Sequence, residues 1–187
     1  MDEFKPIAHS PVRHPEPAGR WNQWKVSLVD GEGPVTISDV TPLPKWRKSG
    51  RTFEGVAYGT ARHTDLGLVW SVSPGEWSVM GTAVPDDDPD AVDLTHVRAA
   101  FRLTGTGAVK VLEKVCSLDF GDGMFPSGKA ARTSLGGVAT EIVRDDAEDT
   151  PSYLLVPSRS FAAYLYDVLA DAGSEIGLTE DRFPGAV

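Results

Sequence analysis

Residues 92–177 switch between apolar residues spaced two apart and apolar residues spaced three or four apart, and glycine stands at the changes. Val97, Ala99, Phe101 and Leu103 fall on one face of a strand. Gly105 and Gly107 turn the chain, and Val109, Leu112, Val115 and Cys116 then recur at helical spacing. Residues 121–128 read as a loop. The runs 129–135 and 138–143 flank Gly136-Gly137, a pair suited to a two-residue hairpin whose central positions need positive φ. After an acidic turn at 145–149, residues 153–156 form the next strand. Ser158 or Ser160 is placed to cap a final helix. On that helix Phe161, Leu165, Val168, Leu169 and Ala172 make one apolar stripe, and Gly173 is expected at C′.

The first half reads as short strands broken by proline and glycine. Trp24, Val26 and Leu28 alternate with polar residues, residues 31–34 interrupt, and 35–40 and 46–49 supply two further strands. Residues 53–58 suggest one turn of helix. The runs 67–72 and 76–80 flank Ser73-Pro74-Gly75 and form a hairpin. The expected organisation is one integrated α+β domain of two small antiparallel-sheet lobes with flanking helices. Residues 1–20, with Pro6, Pro11, Pro15 and Pro17, are an extended arm. Residues 21–84 form the first lobe, 85–91 an acidic linker, 92–177 the second lobe and 178–187 a C-terminal tail. Asp39-Val40-Thr41 and Asp93-Leu94-Thr95 each close a short apolar strand, a faint repeat that suits two related lobes.

Charge narrows the partners. With 27 acidic against 18 basic residues the formal net charge is −9, which repels a phosphate backbone and disfavours nucleic acid. No window approaches the roughly 18 apolar residues of a membrane span. The N-terminal Met-Asp-Glu-Phe-Lys-Pro has neither the basic nor the apolar part of a secretion signal, so cytoplasm is the expected compartment. Cys116 is the single cysteine and reads as a buried, inert thiol. His9, His14, His63 and His96 show no metal-ligand spacing, and His96 reads as a hydrogen-bonded neighbour of Asp93 or Thr95. No Gly-x-Ser-x-Gly elbow is present, and Gly105-Thr106-Gly107 lacks the third glycine of a dinucleotide loop. Lys45-Trp46-Arg47-Lys48 gathers three cations around an indole. It reads either as an anion site or as an exposed strand face with Trp46 turned inward.

Taken in order, these segments resemble the gamma subunit of heterotetrameric sarcosine oxidase. The residues that carry the resemblance are Asp93-Leu94-Thr95-His96, Leu103-Thr104-Gly105, the run 115–120, Pro126-Ser127-Gly128, Ala131-Arg132-Thr133, the run 154–160 and Glu175-Ile176-Gly177. More distantly the chain resembles the folate-binding half of aminomethyltransferases. The family implies an accessory role. Alpha- and beta-type partner subunits carry flavin, NAD and the folate site of an N-demethylating enzyme, and the gamma chain, folded like a folate domain, binds no cofactor and stabilises the assembly.

The aminomethyltransferase comparison supplies the alternative, an autonomous tetrahydrofolate-dependent one-carbon transferase. Their Gly-Gly-hydrophobic-hydrophobic-Asp-Asp stretch corresponds to Gly136-Gly137-Val138-Ala139-Thr140-Glu141 here, so the Asp-Asp pair has become Thr140-Glu141. Glu141 keeps a carboxylate about one methylene further out, and a misplacement of ~1 Å can cost about a hundredfold in rate. On the accessory reading no catalytic residue is expected. On the folate-dependent reading Glu141 is the acid/base, and Arg132 or Arg159 meets the folate carboxylates. An accessory subunit is also expected to expose an apolar patch, with Trp46, Trp70 and Trp77 as its aromatic members.

Overall fold

The computed structural model describes residues 8–13, 18–22, 24–27 and 29–184. A two-stranded ribbon, β1 (Ala18–Trp21) and β2 (Trp24–Ser27), opens the chain. The remaining strands are β3 (Val35–Asp39), β4 (Lys45–Ser49), β5 (Ala61–Thr64), β6 (Gly67–Ser73), β7 (Glu76–Gly81), β8 (Ala91–Asp93), β9 (Phe101–Thr104), β10 (Ala130–Leu135), β11 (Val138–Arg144), β12 (Ser152–Pro157) and β13 (Leu178–Asp181). Helix α1 (Ala108–Val115) follows β9. A 3-10 turn, Arg159–Phe161, leads into α2 (Ala162–Ser174).

The strands form a six-stranded sheet, ordered β10-β11-β12-β9-β3-β13, and a five-stranded sheet, ordered β5-β6-β7-β4-β8. Both helices lie on one face of the larger sheet. There Ile37, Phe101, Leu103, Ile142 and Leu155 pack against Val111, Leu112, Leu165 and Leu169. The other face meets the smaller sheet, with Val143, Leu154 and Val156 against Leu68, Trp70 and Met80. The outer face of the smaller sheet carries Trp46, Val69, Trp77 and Val79 under Phe53 and Val56. The layers are therefore helices, six strands, five strands and a covering loop. Period-two alternation on β6, β11 and β12 sends neighbouring side chains into different layers.

The α+β class and both hairpins are as the sequence implies. At Gly136 and Gly137 φ is 56° and 84°, so the β10–β11 turn uses the left-handed region twice. Gly105 has φ 126°, and a Cβ there would meet the Pro34 carbonyl oxygen at 2.3 Å. That contact fixes the strand-to-helix turn before α1.

Several expectations need correction. The strand expected over 97–103 is shorter, because residues 95–97 form a turn and pairing starts at Phe101. Residues 53–58 are turns rather than a helical turn. Neither Ser158 nor Ser160 caps α2; their hydroxyls lie 3.2 Å apart, and Phe161 takes the N-cap position without a side-chain bond. Gly173 is buried inside α2 against Leu178, and Gly177, at φ 83°, makes the left-handed turn instead.

The strands also cross the expected boundaries. β3 joins the six-stranded sheet between β9 and β13, and β8, next to the acidic stretch, edges the five-stranded one. Residues 178–181 are not tail but a strand parallel to β3. In the arm, Ala8 bridges Trp24 and residues 18–20 belong to β1; residues 1–7 and 14–17 lie outside the described residues. Trp46, Trp70 and Trp77 are all buried, so none contributes to an exposed patch. Among the described residues the exposed large apolar ones are Tyr58, Val92, Val97, Met124, Phe161 and Tyr164.

Candidate functional site

Two cross-strand rows face each other between the sheets. On the smaller sheet, register aligns Arg47 of β4, Ser78 of β7 and Trp70 of β6. On the larger sheet it aligns Arg132 of β10, Glu141 of β11 and Val156 of β12. Paired residues on neighbouring strands point to the same face. Trp70 and Val156 lie in the core between the sheets, which sets the inward direction for both rows.

The rows meet at Glu141. Its Oε2 accepts the indole N–H of Trp70 at 2.8 Å and the Ser78 hydroxyl at 3.2 Å. Its Oε1 accepts Arg98 Nη2 at 3.2 Å, an ion pair whose side chains are 4% and 13% exposed. Arg98 comes from the segment before β9, which bridges Ser158 across from β12. Burial pulls the Arg98 guanidinium below its ordinary pKa, Glu141 opposes that, and the cations Arg47 and Arg132 add to it. Trp46 and Leu94 help close the space beside this pair to a cavity of about 10 Å³, room for roughly one water. Lys45 lines the same cavity. Its ammonium donates to the carbonyls of Thr41 and Leu43 at 2.6 and 2.7 Å, and burial lowers its pKa to about 8.

The sequence-derived candidates are only partly brought together. Arg132 stands opposite Glu141 in register, but its side chain is exposed. Arg159 lies elsewhere: its guanidinium covers the Trp24 ring at 5.5 Å, Nη2 donates to the His9 carbonyl, and Nη1 is buried without a partner. Thr140 is buried, with its hydroxyl on the Val138 carbonyl at 3.0 Å. His96 does not bond Asp93 or Thr95 but stacks on Trp24 at 5.1 Å, and Asp93 instead accepts the Thr95 amide. His63 lies 2.8 Å from Asp145. Cys116 is buried, 3.7 Å from the Thr133 hydroxyl. Among the described residues no group of His, Cys, Asp and Glu side chains is arranged to hold a metal. Trp46 is buried, as one reading of the basic run has it, but under Phe53 on the outer face of the smaller sheet, and Lys48 pairs with Asp88 and Asp90.

Sequence reasoning missed Arg98, Trp70 and Ser78 as partners of Glu141. Alternation around Ser73-Pro74-Gly75 does put residues 70 and 78 on one face, but no local pattern says which sheet that face meets.

These residues do not fit a reduced folate. The Glu141 carboxylate already serves an indole, a hydroxyl and a guanidinium. The space beside it is more than tenfold short of the roughly 300 Å³ at which small-molecule pockets begin.

Across residues 88–175 the chain matches the model of the sarcosine oxidase gamma subunit family. No curated protein matches it. Among solved structures it is similar to a chain of the heterotetrameric sarcosine oxidase from Corynebacterium sp. U-96 in complex with pyrrole 2-carboxylate. The TM-score is 0.68 at 22% identity, over 81% of this chain and 90% of that one. It is similar in fold also to the glycine cleavage system aminomethyltransferase T from Bartonella henselae, with a TM-score of 0.67 at 11% identity. That alignment spans 94% of this chain but 60% of the enzyme. The resemblance read from the sequence is thus borne out, and so is the α+β, aminomethyltransferase-like fold. Among the described residues no helix is long and apolar enough to cross a membrane.

Proposed function

We propose that this chain is an accessory, gamma-type subunit of a sarcosine oxidase-like complex, assembling with alpha- and beta-type subunits rather than catalysing on its own. The family match over residues 88–175 and the fold support the placement. The observation that carries the non-catalytic part is the commitment of Glu141. This is the one acid that the aminomethyltransferase comparison nominates, and it bridges the two sheets through Trp70 and Ser78 while Arg98 pairs with it from its own side. In this reading the carboxylate of a folate-type fold has become part of the inter-sheet packing. Flavin, NAD and folate then belong to the partner subunits, Arg132 and Arg159 bind no folate, and cytoplasm is the compartment.

The test is co-expression of the tagged chain with alpha- and beta-type sarcosine oxidase subunits. The expected result is co-elution of this chain with visible flavin absorbance and sarcosine-dependent oxidation. Loss of this chain should lower the yield or heat resistance of the complex without removing its chemistry. Elution of the chain alone, or micromolar tetrahydrofolate binding lost in Glu141→Gln, would overturn the reading and favour the autonomous transferase.

A further inference from the structure

The rim of the inter-sheet gap carries more positive charge than its partners neutralise. Arg47, Arg98 and Arg132 all project from inward-facing positions around Glu141. Glu141 is spent on Arg98. Arg47 has Glu76 at 3.6 Å, with both side chains partly in solvent, so that pair is loose. Among the described residues Arg132 has no carboxylate partner, and it is exposed. Lys45, deeper in the same gap, is held by backbone carbonyls and has Asp39 and Asp93 as acidic neighbours, so the surplus lies with the arginines. The downward push that Arg47 and Arg132 exert on Arg98 agrees with their convergence on one place. This happens in a chain whose formal net charge is −9, so the patch is a local exception and not part of a generally basic surface.

We propose that this rim is the docking point for a carboxylate-bearing surface segment of a partner subunit, received by Arg132 and Arg47 while Arg98 stays with Glu141. The inference rests on the accessory reading and names the chemistry of one contact within it. Guanidinium groups suit the role because they take carboxylates with paired N–H donors and part with water more readily than an ammonium does. The filled gap behind them admits a side chain at its mouth but not a ring within. A positive rim on an acidic chain would favour the docking orientation that brings it to a carboxylate. Arg47 lies in the basic run that the sequence singled out, and Arg132 in a strand some eighty residues later; only the stacked sheets make them one site.

The experiment uses the full chain and a hexaglutamate peptide as probe, titrated at low salt by a fluorescence or calorimetric readout. Saturable binding is expected, at least fivefold weaker in Arg47→Gln/Arg132→Gln and weakened by added salt. A charge-matched control, Arg51→Gln/Lys110→Gln, removes exposed cations from the covering loop and from α1, and should bind as the parent does. Both double variants leave Arg98 and Glu141 in place, and unchanged melting curves would show that they fold. No binding by the parent, or equal weakening in both double variants, would overturn the proposal. Half-saturation by citrate at a lower concentration than by the peptide would also overturn it, in favour of a small polycarboxylate. None of these outcomes depends on whether the complex itself assembles.

Discussion

Trp70 Nε1 donates to Glu141 Oε2 at 2.8 Å across the gap between the two sheets, joining residues 71 positions apart in the chain. An indole N–H buried beside a carboxylate is satisfied only if the strands hold their register, because a one-residue slip turns either side chain to the opposite face. The pair therefore acts as a lock between the layers, beside the Ser78 hydroxyl on the same carboxylate and the backbone bonds from Ala61 to Gly128 and from Ala130 to Gly59.

Removing the charge from that lock should be costly. Glu141→Gln leaves Arg98 with no counter-charge in a mostly buried setting, and about 2–3 kcal/mol of stability should be lost in urea unfolding. The figure lies below that for a fully buried pair because Arg98 keeps some access to water. Adding Arg98→Met should restore part of the loss, since it removes the stranded cation. A loss under about 0.5 kcal/mol in the single variant would show that the ion pair does not stabilise the fold.

Local rules made much of the fold legible, and their failures have a common cause. Gly136-Gly137 announces its hairpin because both positions need positive φ, and the stripe on α2 announces a helix because Leu165, Val168, Leu169 and Ala172 share one face, although Phe161, read as its first member, precedes the helix and is exposed. The membership of β3 and β13 in the larger sheet has no local signal: Val35 and Leu178 pair across more than a hundred residues. The site was legible only as Glu141. Its partners Trp70 and Ser78 come from another sheet, and Arg98 makes an isolated bridge to Ser158 just after the turn at 95–97, which the alternation of residues 97–103 disguised as strand. Trp46, Trp70 and Trp77 were read as surface because indoles favour interfaces; the interface they occupy is internal.

The glycines give a ranked prediction. Gly105→Ala places a Cβ at 2.3 Å from the Pro34 oxygen and 2.9 Å from Val35 Cα, both backbone atoms that cannot step aside. Gly137→Ala meets nothing within 4 Å and costs only its positive φ. The second should lose about 1 kcal/mol, and the first several-fold more or fail to fold. Equal melting temperatures for the two variants would refute the close approach of β3 to the turn before α1.

Arg144 anchors the loop at 121–128. Its Nη1 donates to the Phe125 carbonyl at 2.9 Å and meets Asp122, while Nε donates to Asp146 at 3.0 Å. Arg144→Met keeps the stem but removes every one of these donors. Amides of the loop, such as Phe125 N–H on the Gly121 carbonyl, should then exchange at least tenfold faster, with the α2 amides unchanged. Unaltered exchange at Phe125 would mean that its ring, packed on Phe120 and Tyr153, holds the loop by itself.

Lys45 predicts an alkaline rise in stability. Its folded pKa is about 8 against an ordinary 10.5, lowered chiefly by burial and opposed by Asp39. Between those values the unfolded chain binds a proton that the folded chain has released, so stability gains with pH across that window and the gain is absent below it. The full span corresponds to roughly 3 kcal/mol at most. Burial holds Tyr153 up at about 12, which works the other way: above pH ~10 the unfolded phenol ionises first and stability falls. The difference between the parent and Lys45→Met isolates the lysine, because the tyrosines and the general charge repulsion are common to both. Measured by urea unfolding from pH 7 to 10, the parent should gain on the variant as pH rises. A constant difference over that range would show that the two carbonyls on Nζ keep the ammonium charged despite its burial.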